Sequence, residues 1–149
     1  MDDEDESHHG EAANAELEHL FHAPATVLLA EEDDALRERC CQALATEGFR
    51  VIAVEDGLEL RDYLSLANDP HSRVPLPDVV VADDQLPGLG GLDACAQMRR
   101  RRGAPPCVLL LSCREAHTLQ RARELGVADL LAKPIDLDEL CEVVALLTC

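Results

Sequence analysis

Short apolar runs alternate with longer amphipathic stretches from residue 26 onward. The runs hold Val, Leu, Ile and Ala with few polar interruptions, which is typical of strands buried on both faces of a parallel sheet. Turn-forming residues separate the runs from the stretches that follow them. The predicted strands are 27–30, 51–54, 79–82, 108–111 and 127–132.

The stretches between these runs predict helices, because their apolar residues recur at helical spacing. Asp136 is placed to cap the last helix, and Gly48 and Gly126 stand where helices should stop. Five strand and helix repeats favour an α/β fold with a doubly wound parallel sheet and helices on both faces. The two clearest apolar faces are Leu36, Cys40, Ala43 and Leu44 in the first helix, and Leu137, Leu140, Cys141, Val144 and Leu147 in the last.

Negative charge is concentrated at the beginning of the chain. The net charge is −17 over 149 residues, and residues 1–23 hold eight acids without any Lys or Arg. We therefore expect an acidic, disordered tail over 1–23 and a folded domain over 24–149. The charge disfavours nucleic-acid binding. Because neither a membrane-spanning run nor a signal peptide is visible, we expect a cytoplasmic protein without a membrane partner.

The cysteine pattern indicates packing rather than chemistry. The chain has seven cysteines, an odd number, and no CxxC pair. In a reducing compartment most of them are expected to be small buried apolar side chains, with a redox or metal role as the alternative.

Polar residues follow four of the five predicted strands. The carboxyl ends of parallel strands share one edge, so these groups should converge there. Adjacent carboxylates repel one another and favour a hard cation, most naturally Mg²⁺. A metal, a hydroxyl and an ammonium around one carboxylate suit phosphoryl transfer to that carboxylate. The groups are Glu31 and Glu32, Asp83 and Asp84, Ser112, and Lys133, which is the only lysine beside twelve arginines.

Four segments at these strand ends resemble the receiver domains of response regulators. Residues 77–91, PDVVVADDQLPGLGG, are similar to that family's third strand with its acceptor Asp and Pro-Gly turn. LAEED at 29–33 resembles the acidic pair, LSC at 111–113 the hydroxyl position, and AKP at 132–134 the Lys-Pro pair, whose peptide bond is typically cis. The resemblance covers about residues 25–147 and includes all four motifs in order.

The resemblance implies a flavodoxin-like sheet of order 2-1-3-4-5 and a phosphorelay function rather than conventional enzyme catalysis. Asp83 would be the phosphoacceptor, with Ser112 and Lys133 binding the phosphoryl group. Glu31, Glu32, Asp83 and the Gln85 carbonyl would hold Mg²⁺. The implied partners are a sensor histidine kinase or phosphotransfer protein and a downstream protein, with dimerisation allowed through helix four, strand five and helix five. The chain ends soon after the fifth helix, so we expect a single-domain regulator.

Several positions depart from the family pattern. Glu32 stands where Asp is usual, Leu130 replaces a usually aromatic residue, Gly90 replaces a frequent Asp, and Asp84 adds a charge beside the acceptor. A phosphorylation-independent docking module is therefore the alternative function.

Two other classes of protein fit less well. A haloacid-dehalogenase-type hydrolase needs a second Asp two residues after the first, where Gln85 stands. A nucleotide-binding protein needs a glycine-rich loop after the first strand, and acids occupy 31–34.

Overall fold

The structure of the chain is a computed structural model. This structure describes residues 23–100, 103–112 and 115–149. The predicted acidic tail, apart from Ala23, lies outside the described residues.

Five parallel strands form one sheet of order β2-β1-β3-β4-β5. The predicted fold class and strand order are confirmed. Every residue of β1, β3 and β4 is buried, as expected for the inner strands of a parallel sheet, while β2 and β5 are partly exposed at the edges. The strands are β1 (Thr26–Ala30), β2 (Arg50–Val54), β3 (Val79–Asp83), β4 (Cys107–Leu111) and β5 (Asp129–Ala132).

One helix follows each strand, and each end signal read from the sequence has a structural counterpart. The Asp136 side chain accepts hydrogen bonds from two backbone N–H groups at the start of the last helix. Gly126 adopts the left-handed conformation that ends the fourth. The helices are α1 (Asp34–Thr46), α2 (Gly57–Ala67), α3 (Gly91–Arg99), α4 (Ala116–Leu125) and α5 (Leu137–Thr148).

The two faces of the sheet bury separate clusters. Leu28, Val80 and Leu109 pack against α2, α3 and α4. Val27, Val81 and Leu110 point to the other face and pack against α1 and α5. This alternation follows from the two-residue period of a strand. The strand order makes β1 and β3 inner strands, so their carboxyl ends lie away from the edges of the sheet.

Two details of the fold differ from the sequence prediction. β5 begins at Asp129 rather than at residue 127, because Val127 and Ala128 donate hydrogen bonds to the end of α4 and to Cys107. Cys95 of α3 and Cys107 of β4 are joined by a disulfide in the core. Their separation of 12 residues matches no pairing motif. Both side chains are buried, as expected for most of the cysteines, but the bond between them was not predicted. Cys40 is a buried free thiol, as predicted.

No described helix combines the length and the apolar character that a membrane crossing would require.

Candidate functional site

One open cleft at the carboxyl edge of the sheet is lined by all the residues that the sequence singled out for a site except Asp84. Its walls come from the loops after β1, β3, β4 and β5. This arrangement follows from the parallel sheet, since all its strands end at the same edge. The lining residues are Glu31, Glu32, Asp33, Asp34, Ala35, Asp83, Gln85, Ser112 and Lys133.

Lys133 joins two buried carboxylates at the centre of this cleft. Its Nζ donates to Glu31 Oε1 at 2.9 Å and to Asp83 Oδ2. Burial by itself would lower the pKa of Lys133, but the hydrogen bonds to Asp83 and Glu31 outweigh it and raise the pKa. The ammonium therefore stays charged and offsets the repulsion between the two acids.

Asp83 is held as an anion by its neighbours. The residue is 4% exposed, and its Oδ1 accepts a hydrogen bond from the Gln85 backbone N–H at 2.9 Å. Burial would raise the pKa of Asp83, but the neighbouring Glu31 and the hydrogen bonds from Lys133 and Gln85 together hold it below its ordinary value. An ionised, oriented carboxylate of this kind can act as a nucleophile.

The pKa of Glu31 is shifted in the opposite direction from that of Asp83. Burial, followed by the neighbouring Asp83, raises its pKa from 4.5 to about 7. Its Oε1 accepts from Lys133, while its buried Oε2 has no hydrogen-bond partner among the described residues. A buried oxygen without a partner is costly, which indicates a site made to take a ligand.

These groups fit Mg²⁺ in their chemistry, and only part of the predicted ligand set is assembled. Glu31 and Asp83 offer carboxylate oxygens, which Mg²⁺ prefers, and Glu31 Oε2 is the unpartnered one. Within the described ranges no three His, Cys, Asp or Glu side chains lie close enough together to hold a metal. Glu32 lines the cleft as an exposed side chain, so its place in a metal site stays a prediction.

Close backbone packing sets the position of the loop that follows β3 and Asp83. The N–H of Gly57, at the start of α2, donates to Pro87 O at 3.0 Å, and a Cβ on Gly57 would lie 1.7 Å from Leu89 O. A Cβ on Gly91 would lie 2.2 Å from Asp83 O. Only glycine allows these approaches, so α2 and α3 begin directly against the loop that follows β3.

Comparison with known proteins agrees with this geometry. The response regulator receiver domain family matches residues 27–145. The chain belongs to this family. Response regulator MprA of Mycobacterium sp. (strain KMS) is 34% identical over 118 residues, which cover 78% of this chain and 47% of MprA. The alkaline phosphatase synthesis transcriptional regulatory protein SphR of Synechococcus elongatus is 36% identical over 121 residues, which cover 79% of this chain and 47% of SphR.

A solved structure supports the fold. The receiver domain of Francisella response regulator 1452 superposes with a TM-score of 0.72 at 24% identity, covering 83% of this chain and 96% of that one. The chain spans about half the length of MprA and SphR. As a receiver domain it belongs to a class of phosphoacceptors, which generally bind Mg²⁺ at the phosphorylation site and interact with histidine kinases and downstream effectors.

The β4 side of this receiver domain's cleft is more open. Ser112 is exposed, and its backbone N–H donates to Asp84 Oδ1 at 3.4 Å. Burial and then the neighbouring Asp83 raise the pKa of Asp84. Leu130, at the position of the usual aromatic residue, packs against the α2, α3 and α4 side of the core and is only partly buried. The Lys133–Pro134 peptide bond is cis, as the resemblance implied.

Sequence reasoning missed one residue beside the cleft, Arg37 of α1. Its guanidinium donates to the backbone carbonyls of Glu31 and Glu32 and pairs with Asp34 and Glu55. An arginine three residues after an aspartate in a first helical turn looks like a surface ion pair. The contacts to the strand-end carbonyls depend on how α1 turns back over β1, which the sequence pattern does not reveal.

Proposed function

We propose that this receiver domain accepts a phosphoryl group on Asp83 from the phosphohistidine of a sensor kinase or phosphotransfer protein. The observation that carries the proposal is the buried Asp83 carboxylate, which is paired with Lys133 beside the unpartnered Glu31 oxygen. This combination supplies a nucleophile, a cation and an unpartnered carboxyl oxygen at one point.

Transfer would form one bond and break another. A carboxylate oxygen of Asp83 bonds to phosphorus as the bond from phosphorus to the donor imidazole nitrogen breaks, and its electron pair returns to the imidazole. Lys133 would neutralise charge on the phosphoryl oxygens, and the exposed Ser112 hydroxyl would donate a hydrogen bond to one of them. Mg²⁺, when bound through Glu31 and Asp83, would offset the remaining negative charge.

The signal would leave through protein contacts on the face formed by α4, β5 and α5. Once Asp83 is phosphorylated, Ser112 and Lys133 would move toward the phosphoryl group and favour one packing of this face. Sparse packing of α4 supports this choice, because Ala122 is its only buried residue and Glu115 makes no side-chain cap. A downstream protein that binds one packing better, or a second copy of the chain, would read the change.

Phosphoryl uptake from a small acyl phosphate, followed by intact mass, tests the proposal. We expect one adduct that requires Mg²⁺ and is absent in Asp83→Asn. A beryllofluoride complex should perturb the same amide signals in NMR spectra. Wild-type protein that gains no phosphoryl group and shows no beryllofluoride response with Mg²⁺ would contradict the proposed acceptor role.

A second candidate function is a receiver-shaped docking module that works without phosphorylation. The exposed Glu32 and the missing three-carboxylate cluster among the described residues favour it. In that case Asp83→Asn would leave partner binding unchanged, whereas the phosphorelay function requires partner binding to change with phosphorylation.

A further inference from the structure

Arg37 makes more polar contacts than any other side chain at the β1 end of the cleft. Its Nη1 lies 2.9 Å from Glu31 O and 3.3 Å from Glu32 O. Its Nη2 lies 2.5 Å from Asp34 Oδ1 and 3.5 Å from Glu55 Oε1. The side chain is only 16% exposed, so the guanidinium is packed in place rather than extended into solvent.

The two carbonyls belong to the acidic pair itself. Glu31 and Glu32 lie between the end of β1 and the start of α1, where the regular backbone ladder stops. The Glu31 N–H still reaches Val54 O at 3.1 Å, and the Asp33 side chain caps α1 by accepting from Leu36 N–H. Arg37 donates hydrogen bonds to the Glu31 and Glu32 carbonyls, which these contacts leave free. It therefore fixes the backbone from which both acidic side chains project.

A fixed backbone matters more with glutamate at position 32 than it would with aspartate. A glutamate side chain has one more rotatable bond, and Mg²⁺ requires nearly ideal octahedral geometry. A longer arm therefore depends more on a fixed starting point. The fork of a guanidinium can hold two carbonyls and a carboxylate at once, whereas an ammonium is a point charge.

We propose that Arg37 is a positioning residue that holds the Glu31 and Glu32 backbone in the arrangement needed to bind Mg²⁺. The proposal rests on the proposed phosphoacceptor function. In this role Arg37 strengthens Mg²⁺ binding through geometry, whereas its positive charge acts against Mg²⁺ binding. A positive charge beside an acidic site by itself weakens cation binding, so removing that charge alone should strengthen it.

Two substitutions separate geometry from charge. Arg37→Lys keeps the charge and loses the fork, and Arg37→Gln loses both. We expect both variants to raise the dissociation constant for Mg²⁺ about tenfold, the effect typical of losing a group that orients metal ligands. Calorimetric titration with Mg²⁺ alone, without a phosphodonor, measures this. If Arg37→Lys bound Mg²⁺ like wild type while Arg37→Gln bound it more tightly, charge would be the whole effect and the proposal would be wrong.

Arg39→Gln is the matched control. Arg39 is exposed on the same helix and makes no hydrogen bond or ion pair with a described residue. Its removal changes the charge near the site without touching the carbonyls, so Mg²⁺ affinity should stay the same or rise slightly. A tenfold loss in Arg39→Gln would also contradict the proposal, because it would show that position in the cleft is irrelevant.

A kinetic measurement distinguishes this inference from the proposed function. With a small acyl phosphate, Arg37→Lys should raise the half-saturating Mg²⁺ concentration about tenfold and leave the maximal rate of phosphoryl uptake much less affected. Uptake by wild type with no such shift in Arg37→Lys would overturn the Arg37 proposal alone. No uptake and no Mg²⁺ binding by wild type would overturn both. Thermal unfolding shows whether each variant folds, and Arg37→Lys carries the test if Arg37→Gln does not.

Discussion

The two sides of the cleft differ in how deeply their residues are buried and how tightly they are packed. On the acceptor side, Glu31 and Asp83 are buried and share Lys133, and Arg37 holds the adjoining carbonyls. On the opposite side, Ser112 is exposed and α4 buries a single residue. A tightly packed site beside a loosely packed helix allows a local change of charge to alter packing on one side while Asp83 stays in place.

The strands show the same contrast. β1 and β3, which carry the acceptor side, are buried along their whole length, whereas β5 at the sheet edge has one fully buried residue, Leu131. Buried inner strands fix the Asp83 carboxylate within the sheet, and an edge strand leaves its helix freer to shift. Substitutions on the two sides of the cleft should therefore differ in their effects.

Loss of the central cation should have the largest effect. Lys133→Gln leaves the Glu31 and Asp83 carboxylates facing each other without compensation, and we expect a loss of about 3 kcal/mol in unfolding free energy at pH 8. The loss should be smaller at pH 5, where the acids can take up a proton. Urea unfolding at the two pH values measures this, and a loss that did not depend on pH would argue against paired carboxylates.

Disrupting the backbone packing against the loop after β3 should cause the second-largest loss of unfolding free energy. Gly57→Ala would place a Cβ 1.7 Å from Leu89 O. We expect a cost of about 2 kcal/mol, although alanine is otherwise the better helix residue. Gly90→Ala is the control, because its Cβ would lie 3.2 Å from the nearest atom, Asp84 O. Equal unfolding free energies for the two variants would show that the loop is not held as firmly as proposed.

The raised pKa of Glu31 predicts a pH dependence with a definite sign. Its folded-state pKa is about 7 and its ordinary value is 4.5. The folded state therefore favours the protonated acid, and this contribution to stability is present below pH 4.5 and lost as the pH rises to about 7. Relative to Glu31→Gln, wild type should lose about 1–3 kcal/mol across that range.

Chemical unfolding of both proteins in a chelator, at several pH values, measures this difference. The chelator removes divalent cations that would otherwise stabilise the ionised acid. Parallel curves for wild type and Glu31→Gln would mean that Glu31 is ionised in the fold at neutral pH, contrary to the burial argument.

The smallest effect is expected on the open side. Arg121 of α4 pairs with Asp93 of α3, but the two side chains are 50% and 48% exposed. Solvent screens such a pair, so Arg121→Gln should change the unfolding free energy by less than about 0.5 kcal/mol. Amide hydrogen exchange within α4 should still become faster. A cost as large as that of Lys133→Gln would show that α4 is held as firmly as the acceptor.

The fold was largely predictable because its signals are local. Apolar runs predict buried strands, and the residues Asp136 and Gly126 mark helix ends through backbone hydrogen bonding and left-handed geometry. The convergence of Glu31, Asp83 and Lys133 was predictable for one further reason. Parallel strands all end at one edge, so the residues after them meet there.

The rest depended on contacts between distant parts of the chain. The disulfide between Cys95 and Cys107 forms because a residue of α3 packs against the first residue of β4. The spacing of the two cysteines in the sequence does not predict that contact. The approach of Gly57 to Leu89 likewise joins two loops.

The order of the elements, the sheet class and the set of polar groups at its carboxyl edge follow from local sequence patterns. Which of these polar groups are buried and paired depends on tertiary contacts. Glu31 and Glu32 are neighbours of the same chemical type, yet one is buried with a pKa near 7 and the other is exposed. Both residues follow the end of β1, and the burial of each carboxylate depends on what the rest of the fold places beside it.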